Sequence, residues 1–258
     1  MKPLGQKKRI RKMGFIADQE GIMNRYLREK GNWTSHLENT KNFILNAFED
    51  KKVKTVLVFG SGWLLDFPLE QMAKRYKKII LADARHPAQI IKKADSIKNV
   101  ELVEIDISGG GIAFCWNLRK QKSDHYKDYI LDKFEPVLPS VDAKPDAYIS
   151  LNILNQLDIL LIEFLKKKKA RVVDAEVNRF RERIQKFHLD WISKKPGCLI
   201  TDITEMIYKP GEETDEKELI HIDLPSGIRT EEWTWDFDLS KKYHPDAETR
   251  MKVKAIEW

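Results

Sequence analysis

Three landmarks recur at one interval. Gly60-Ser61-Gly62 closes an apolar run, Asp83 closes a second and Asp106 a third, and each acid stands 23 positions beyond the landmark before it. A glycine turn lets the backbone approach a ligand closely and leaves N–H groups free where a helix begins. An acid about 20 residues further on accepts both hydroxyls of a ribose, and an acid one strand beyond that accepts an exocyclic amino group. If the three runs are neighbouring parallel strands, the landmarks share the carboxyl edge of one sheet, where open α/β sheets bind ligands. The conjunction describes an adenosine-shaped pocket. Taken singly, each landmark has a plainer use: the glycines as a tight turn, Asp83 as the cap of a helix opening at His86, Asp106 as a cap on the turn into Gly109-Gly110-Gly111.

Other catalytic patterns fail on spacing. Gly60-Ser61-Gly62-Trp63-Leu64-Leu65 lacks the third glycine of a dinucleotide fingerprint, which disfavours a nicotinamide-dependent oxidoreductase. No Lys follows the turn as a phosphate loop requires, and Ser61 lies directly between glycines, unlike the nucleophile of a hydrolase elbow. The six histidines (36, 86, 125, 188, 221 and 244) form no metal motif; His221-Ile222-Asp223 reads as a surface strand. Cys115 and Cys198 are too few and too far apart for a disulfide framework or a paired-thiol metal site. Acid–base candidates are His188, which also suits a buried structural role beside Phe187, and Asp202 at a strand end; His36 could close over a ligand from the N-terminal side. Asn152 and Asn155 are candidate orienting groups.

The elements that must position these residues follow from periodicity. Two helical stripes come first, Ile22 to Leu27 ended by Gly31, then Trp33, Leu37, Ile44 and Phe48. Strands are expected over 53–59, 78–83, 100–106, 146–151 and 198–203, with helices over 69–76, 86–96, 157–165 and 173–191. That alternation predicts a parallel sheet covered on both faces. Residues 232–237 and 250–257 are strands with no helix between them, hence antiparallel neighbours at a sheet edge. The long connection from Ile107 to Pro145, with Trp116 and Tyr126, has the length of a lid or substrate platform. Trp233 and Trp235 should share one sheet face. One domain over 51–258, preceded by a basic tail and helical extension over 1–50, is expected.

Composition sets the outer bounds. Of 258 residues, 42% are hydrophobic and 33% charged, and the net charge is +6. That is enough apolar material for a core and only a mild excess of positives. No apolar run is long enough to span a membrane, and the basic N-terminus lacks the apolar stretch of a secretory signal. A reduced, cytoplasmic, soluble protein is the expectation. Lys7, Lys8, Arg9, Arg11 and Lys12 read most simply as a disordered, solvated tail, with a nucleic-acid arm as the functional alternative. Lys166 to Lys169 should cap a helix C-terminus.

On these residues the chain resembles the class I S-adenosylmethionine (SAM)-dependent methyltransferases over residues 53 to 258. Val56 to Gly62 matches the first family motif, Leu81-Ala82-Asp83 the acidic end of the second strand, and Glu104-Ile105-Asp106-Ile107 the third; Ser150-Leu151-Asn152 stands where the fourth strand reaches the methyl group. The run Gly60 to Leu69 is similar to a bacterial group of such proteins that offers no acceptor to borrow. The resemblance implies a Rossmann-like three-layer α/β/α sandwich, a mostly parallel seven-stranded sheet with an antiparallel C-terminal hairpin. It implies SAM as cofactor, held by Gly60, Ser61, Gly62, Asp83, Asp106, Ile107 and Asn152, and methyl transfer to an unidentified acceptor, a small molecule before RNA or protein. The sequence departs from the family at Val58, where an acid is common, at Leu64, where a third glycine stands, and after Asn152, where the Pro-Pro-aromatic signature of base amino methylases is missing. Val58 favours the alternative of a non-catalytic module that binds an adenosine ligand or a partner on the same fold.

Overall fold

Four short runs rich in Val, Ile and Leu become parallel strands of the sheet, three of them buried on both faces and the fourth, at the sheet edge, only partly buried. In the computed structural model, which describes residues 4–49, 51–118, 130–141, 144–168 and 172–258, they are β1 (Thr55–Phe59), β2 (Lys78–Asp83), β3 (Val100–Glu104) and β4 (Ala147–Leu151). With β5 (Gly197–Tyr208) they form a parallel set in the order β3-β2-β1-β4-β5. The antiparallel pair β7 (Arg229–Asp238) and β8 (Glu248–Glu257) completes the path, with β8 against β5 and β7 outermost. The fold is therefore the Rossmann-like α/β/α sandwich with an antiparallel C-terminal hairpin. To the seven strands of that path the chain adds a short eighth, β6 (Asp215–Glu218), paired with the far end of β5.

Side chains alternate between two apolar layers. Leu57, Phe59, Ile80, Ala82 and Tyr148 face α5 (Gly111–Leu118), α6 (Ile159–Lys167) and α7 (Asp174–Ile192). Val56, Val58, Ile79, Leu81, Ile149 and Leu151 face α2 (Phe15–Leu45), α3 (Leu69–Arg75) and α4 (Ala88–Asp95). Val58, where the family commonly has an acid, is wholly buried in this second layer.

Three expectations need correction. The basic tail is not a disordered arm: residues Leu4–Lys12 form helix α1, whose Ile10 joins the apolar layer beside α5, while Lys7, Lys8, Arg11 and Lys12 face solvent. Gly31 does not end a helix, since α2 runs unbroken through Gly21 and Gly31 for 31 residues. Its buried positions, Glu29, Trp33, His36, Thr40, Phe43 and Ile44, keep one face against the sheet, and that packing outweighs the glycines' poor helix propensity. The long connection carries helix α5, and its Trp116 is buried and stacked on Phe164, so that ring is packing and not a substrate platform. Tyr126, His125 and Lys169 lie outside the described residues; Lys166 and Lys167 do occupy the last turn of α6. Trp233 and Trp235 share one face, both against α2.

Candidate functional site

At the end of β1 the chain reverses at Gly60, whose φ is +76°. A Cβ there would collide with the carbonyl oxygen of Leu151 and lie 3.0 Å from Cβ of Ile153. Glycine is thus required by the dihedral and by the close passage of the β4 end. The turn continues through Gly62, and its N–H donates to Asp83 Oδ2 at 2.9 Å. Leu64, at the third-glycine position, holds φ +54°, so the left-handed backbone is kept although the glycine is not. Its side chain reaches the layer under α2, and that burial offsets the conformational cost.

Asp83 does not cap the following helix. One oxygen holds the Gly62 N–H and the other stands 3.5 Å from the Arg85 N–H, so the carboxylate bridges the glycine turn and the end of β2 and keeps capacity for another donor. Burial pushes its pKa up, against the pull of the Gly62 N–H and nearby His86. Behind it, the Nε2–H of His86 donates to the Val103 carbonyl at 3.2 Å, and its Nδ1 lies 3.5 Å from the buried Ser61 hydroxyl. Asp106 is committed to its own turn: it accepts from Ser108 O–H and N–H and, at 3.0 Å, from the Ile112 N–H at the start of α5. The capping use is the one the geometry displays.

Asn152 follows β4 with φ +46°, a left-handed conformation Asn tolerates. Its amide N–H donates to Asp66 Oδ2 at 2.8 Å. Across from it, His36 accepts from the Trp233 indole N–H at 3.1 Å and stacks flat on Trp235 at 3.9 Å. Burial lowers the His36 pKa to about 3, so the ring is neutral and, with Nδ1 occupied as an acceptor, carries its proton on Nε2.

All seven proposed cofactor residues, Gly60, Ser61, Gly62, Asp83, Asp106, Ile107 and Asn152, line a single cavity of about 390 Å³ at the carboxyl edge of the parallel strands. The size is that of a small-molecule site. Its roof is α2, which contributes Phe15, Asp18, Gln19, Ile22 and Arg25 from one helical face. Two bonds fasten the roof to the sheet edge: Trp63 Nε1–H to the Gln19 carbonyl, and Gln19 Nε2–H to the Arg85 carbonyl, each 2.7 Å.

Asp202 and Asn155 also line the cavity, whereas His188 does not. His188 lies beneath the sheet, 2.9 Å from the Ser150 hydroxyl and edge-on to Phe59, neutral with its pKa lowered to about 3 by burial. It is a core histidine. Asp66, Asp18 and Glu205 belong to the lining without having been singled out from sequence. Glu205 reaches it through a β-bulge: Asp202 pairs with Val253 and Glu205 with Met251, leaving Ile203 as the extra residue, so two acids three positions apart face the same side. His221 contacts Arg181 at 3.3 Å, and among the described residues no group of three or more His, Cys, Asp or Glu is arranged to hold a metal ion. Nor is any helix among them long and apolar enough to cross a membrane.

No protein-family model matches the chain, and no curated protein matches it. Among solved structures it is similar to the DhpI–SAH complex, with a TM-score of 0.36 and 10% identity over 93% of this chain and 94% of that one. It is also similar to the 23S rRNA methyltransferase ErmE, with a TM-score of 0.33 and 7% identity over 87% of this chain and 68% of that one.

Proposed function

We propose that the chain is a SAM-dependent methyltransferase acting on a small molecule. One observation carries the reading: residues chosen from sequence for an adenosine ligand, on four separate strand ends, converge on one roofed cavity. The residues fit such a cofactor. Gly60 and Gly62 give a backbone cradle that a Cβ at Gly60 would fill, Asp83 retains acceptor capacity for ribose hydroxyls, and Ile107 offers an apolar wall beside Asp106. Asp106 serves an adenine amino group only through lone pairs left over from its capping bonds.

When bound, SAM supplies a methyl group already activated on sulfur, so the protein's contribution is alignment and exclusion of water. Here the glycine turn and Asp83 fix the ligand's position, Asn152 orients groups at the β4 end, and α2 shields the cavity from solvent. That roof also supports a small acceptor over a macromolecular one, because a nucleic-acid or protein chain would have to displace a helix bonded to the sheet edge at both Trp63 and Arg85.

Calorimetric titration with SAM and S-adenosylhomocysteine (SAH) tests the reading. Micromolar binding, lost or weakened at least tenfold in Asp83→Ala with the fold intact by circular dichroism, is the expected result. Failure of folded wild-type protein to bind either ligand would overturn it.

A further inference from the structure

We propose that the β4–β5 end of the cavity is a subsite for an amine, in which Asp202 and Asn155 receive the N–H groups of a primary amine borne on an aromatic or apolar body. The proposal rests on the methyl-transfer reading only in making that amine the acceptor; recognition of the amine can be tested by itself.

The observation is a set of buried acceptors without donors. Asp202 is 3% exposed and Asn155 7%, both line the cavity, and Oδ1 of each has no hydrogen-bond partner. They touch one another only at 3.5 Å, Asn155 Nδ2 to Asp202 Oδ2. Asn152 Oδ1, at the neighbouring strand end, is likewise unpartnered. Among the described residues no cation pairs with Asp202, although Asp66 and Glu205 add negative potential around it. Glu205 is answered by His244 at 2.9 Å and Lys217 at 3.8 Å; Asp202 is not. Buried acceptors left unpaired are costly and a buried lone carboxylate more so. A ligand that brings donors and positive charge resolves both.

The walls select the rest of the ligand. Trp235 and Phe237 line the same cavity and pack edge to face at 4.8 Å, and Tyr243 packs edge-on to Phe237 at 5.0 Å. His36 covers one face of Trp235, and the Arg25 guanidinium stands over the Phe237 and Tyr243 rings at 4.4 and 4.6 Å, so these rings offer the ligand's body an apolar wall and not a cation site. The unpartnered groups carried by β5 and the β4 end are acceptors alone; the unpartnered donors of the lining, Arg25 Nε and Trp235 Nε1, come from α2 and from the aromatic wall on β7.

The proton balance closes within the subsite. An ammonium entering it gives one proton to the Asp202 carboxylate: an N–H bond breaks, its electron pair stays on nitrogen, and an O–H bond forms on the acid. Cation and anion become two neutral groups, and the nitrogen lone pair is free. Burial, with Asp66 and Glu205 nearby, pushes the Asp202 pKa up to about 7, which suits an acceptor of that proton near neutrality.

The test is calorimetric titration of the intact chain with phenethylamine and with phenethyl alcohol, each with and without saturating SAH. The amine is expected to bind at least about tenfold more tightly than the alcohol, with SAH present or absent. Asp202→Asn and Asn155→Leu should each weaken the amine at least about tenfold while leaving SAH affinity within about twofold. Should Asp202→Asn not fold, Asn155→Ala removes the amide without touching the carboxylate and carries the same comparison. Equal binding of amine and alcohol overturns the proposal. So does displacement of the amine by SAH, because Asp202 would then hold the cofactor's own ammonium. SAH binding with no amine binding overturns the subsite and leaves methyl transfer standing; amine binding without SAH binding does the reverse.

Discussion

Gly60 and Gly62 look alike in sequence and are held to different standards by the structure. Both have positive φ, but a Cβ on Gly60 strikes the Leu151 carbonyl, whereas the nearest atom to one on Gly62 is the Gly60 carbonyl oxygen at 3.9 Å. Gly60→Ala should therefore cost about 3 kcal/mol or more, since backbone of β1 or β4 must shift, while Gly62→Ala should cost about 1 kcal/mol, the conformational penalty alone. Denaturant unfolding of the two variants measures the difference, and equal losses would show that β4 does not pass against the turn in solution. Leu64 makes the complementary point. A third glycine is dispensable where a side chain, having accepted a left-handed backbone, finds a buried site on the layer beneath α2.

Helix α2 and the bulged strand β5 are the elements that give a strand-end pocket its roof and one of its walls. Gly21 and Gly31 sit within α2, are exposed, and would place a Cβ with nothing inside 4 Å. Gly21→Ala and Gly31→Ala should each stabilise the protein by about 0.5–1 kcal/mol, read as a rise in thermal midpoint; a fall at Gly31 would mean that the helix breaks there, as the sequence pattern alone indicates. The contrast shows what was legible. The strands, the amphipathic α7 and the three landmarks could be read because period and spacing are local properties, and the cavity gathers those landmarks. Continuity of α2 could not, because it depends on Trp33 and His36 finding β7, about two hundred residues later. Helix α5 was hidden behind three glycines. Glu205 was hidden by arithmetic: counting by twos from Asp202 puts it on the wrong face, and only the unpaired Ile203 restores it. Asp18 and Asp66 carry no motif, being brought to the lining by a helix face and a loop from outside the strand edge.

For the molecule as a whole, neutral buried imidazoles set a limit on acid stability. His36 and His188 have folded pKa values near 3, below the ordinary 6.5, so the unfolded chain binds protons that the folded one refuses. Their contribution is present above pH ~6.5 and is lost as pH falls toward 3, by about 1.4 kcal/mol per unit for each. The stability advantage of wild type over His188→Gln should accordingly shrink by about 1.4 kcal/mol between pH ~7.5 and ~5.5; a constant difference in urea titrations would place the titration elsewhere. Chain order has a separate bearing on how the cavity comes to exist. The indole N–H of Trp33 bonds to the carbonyl of Phe237, 204 positions away, and β8 must enter between β5 and β7 before that partner strand is in place. Closing so large a loop is entropically slow and goes unrewarded until the hairpin is formed. During synthesis the roof is therefore made before every strand of the sheet it covers and is among the last elements to dock, and for most of that interval its apolar face depends on whatever else in the cell can shelter it.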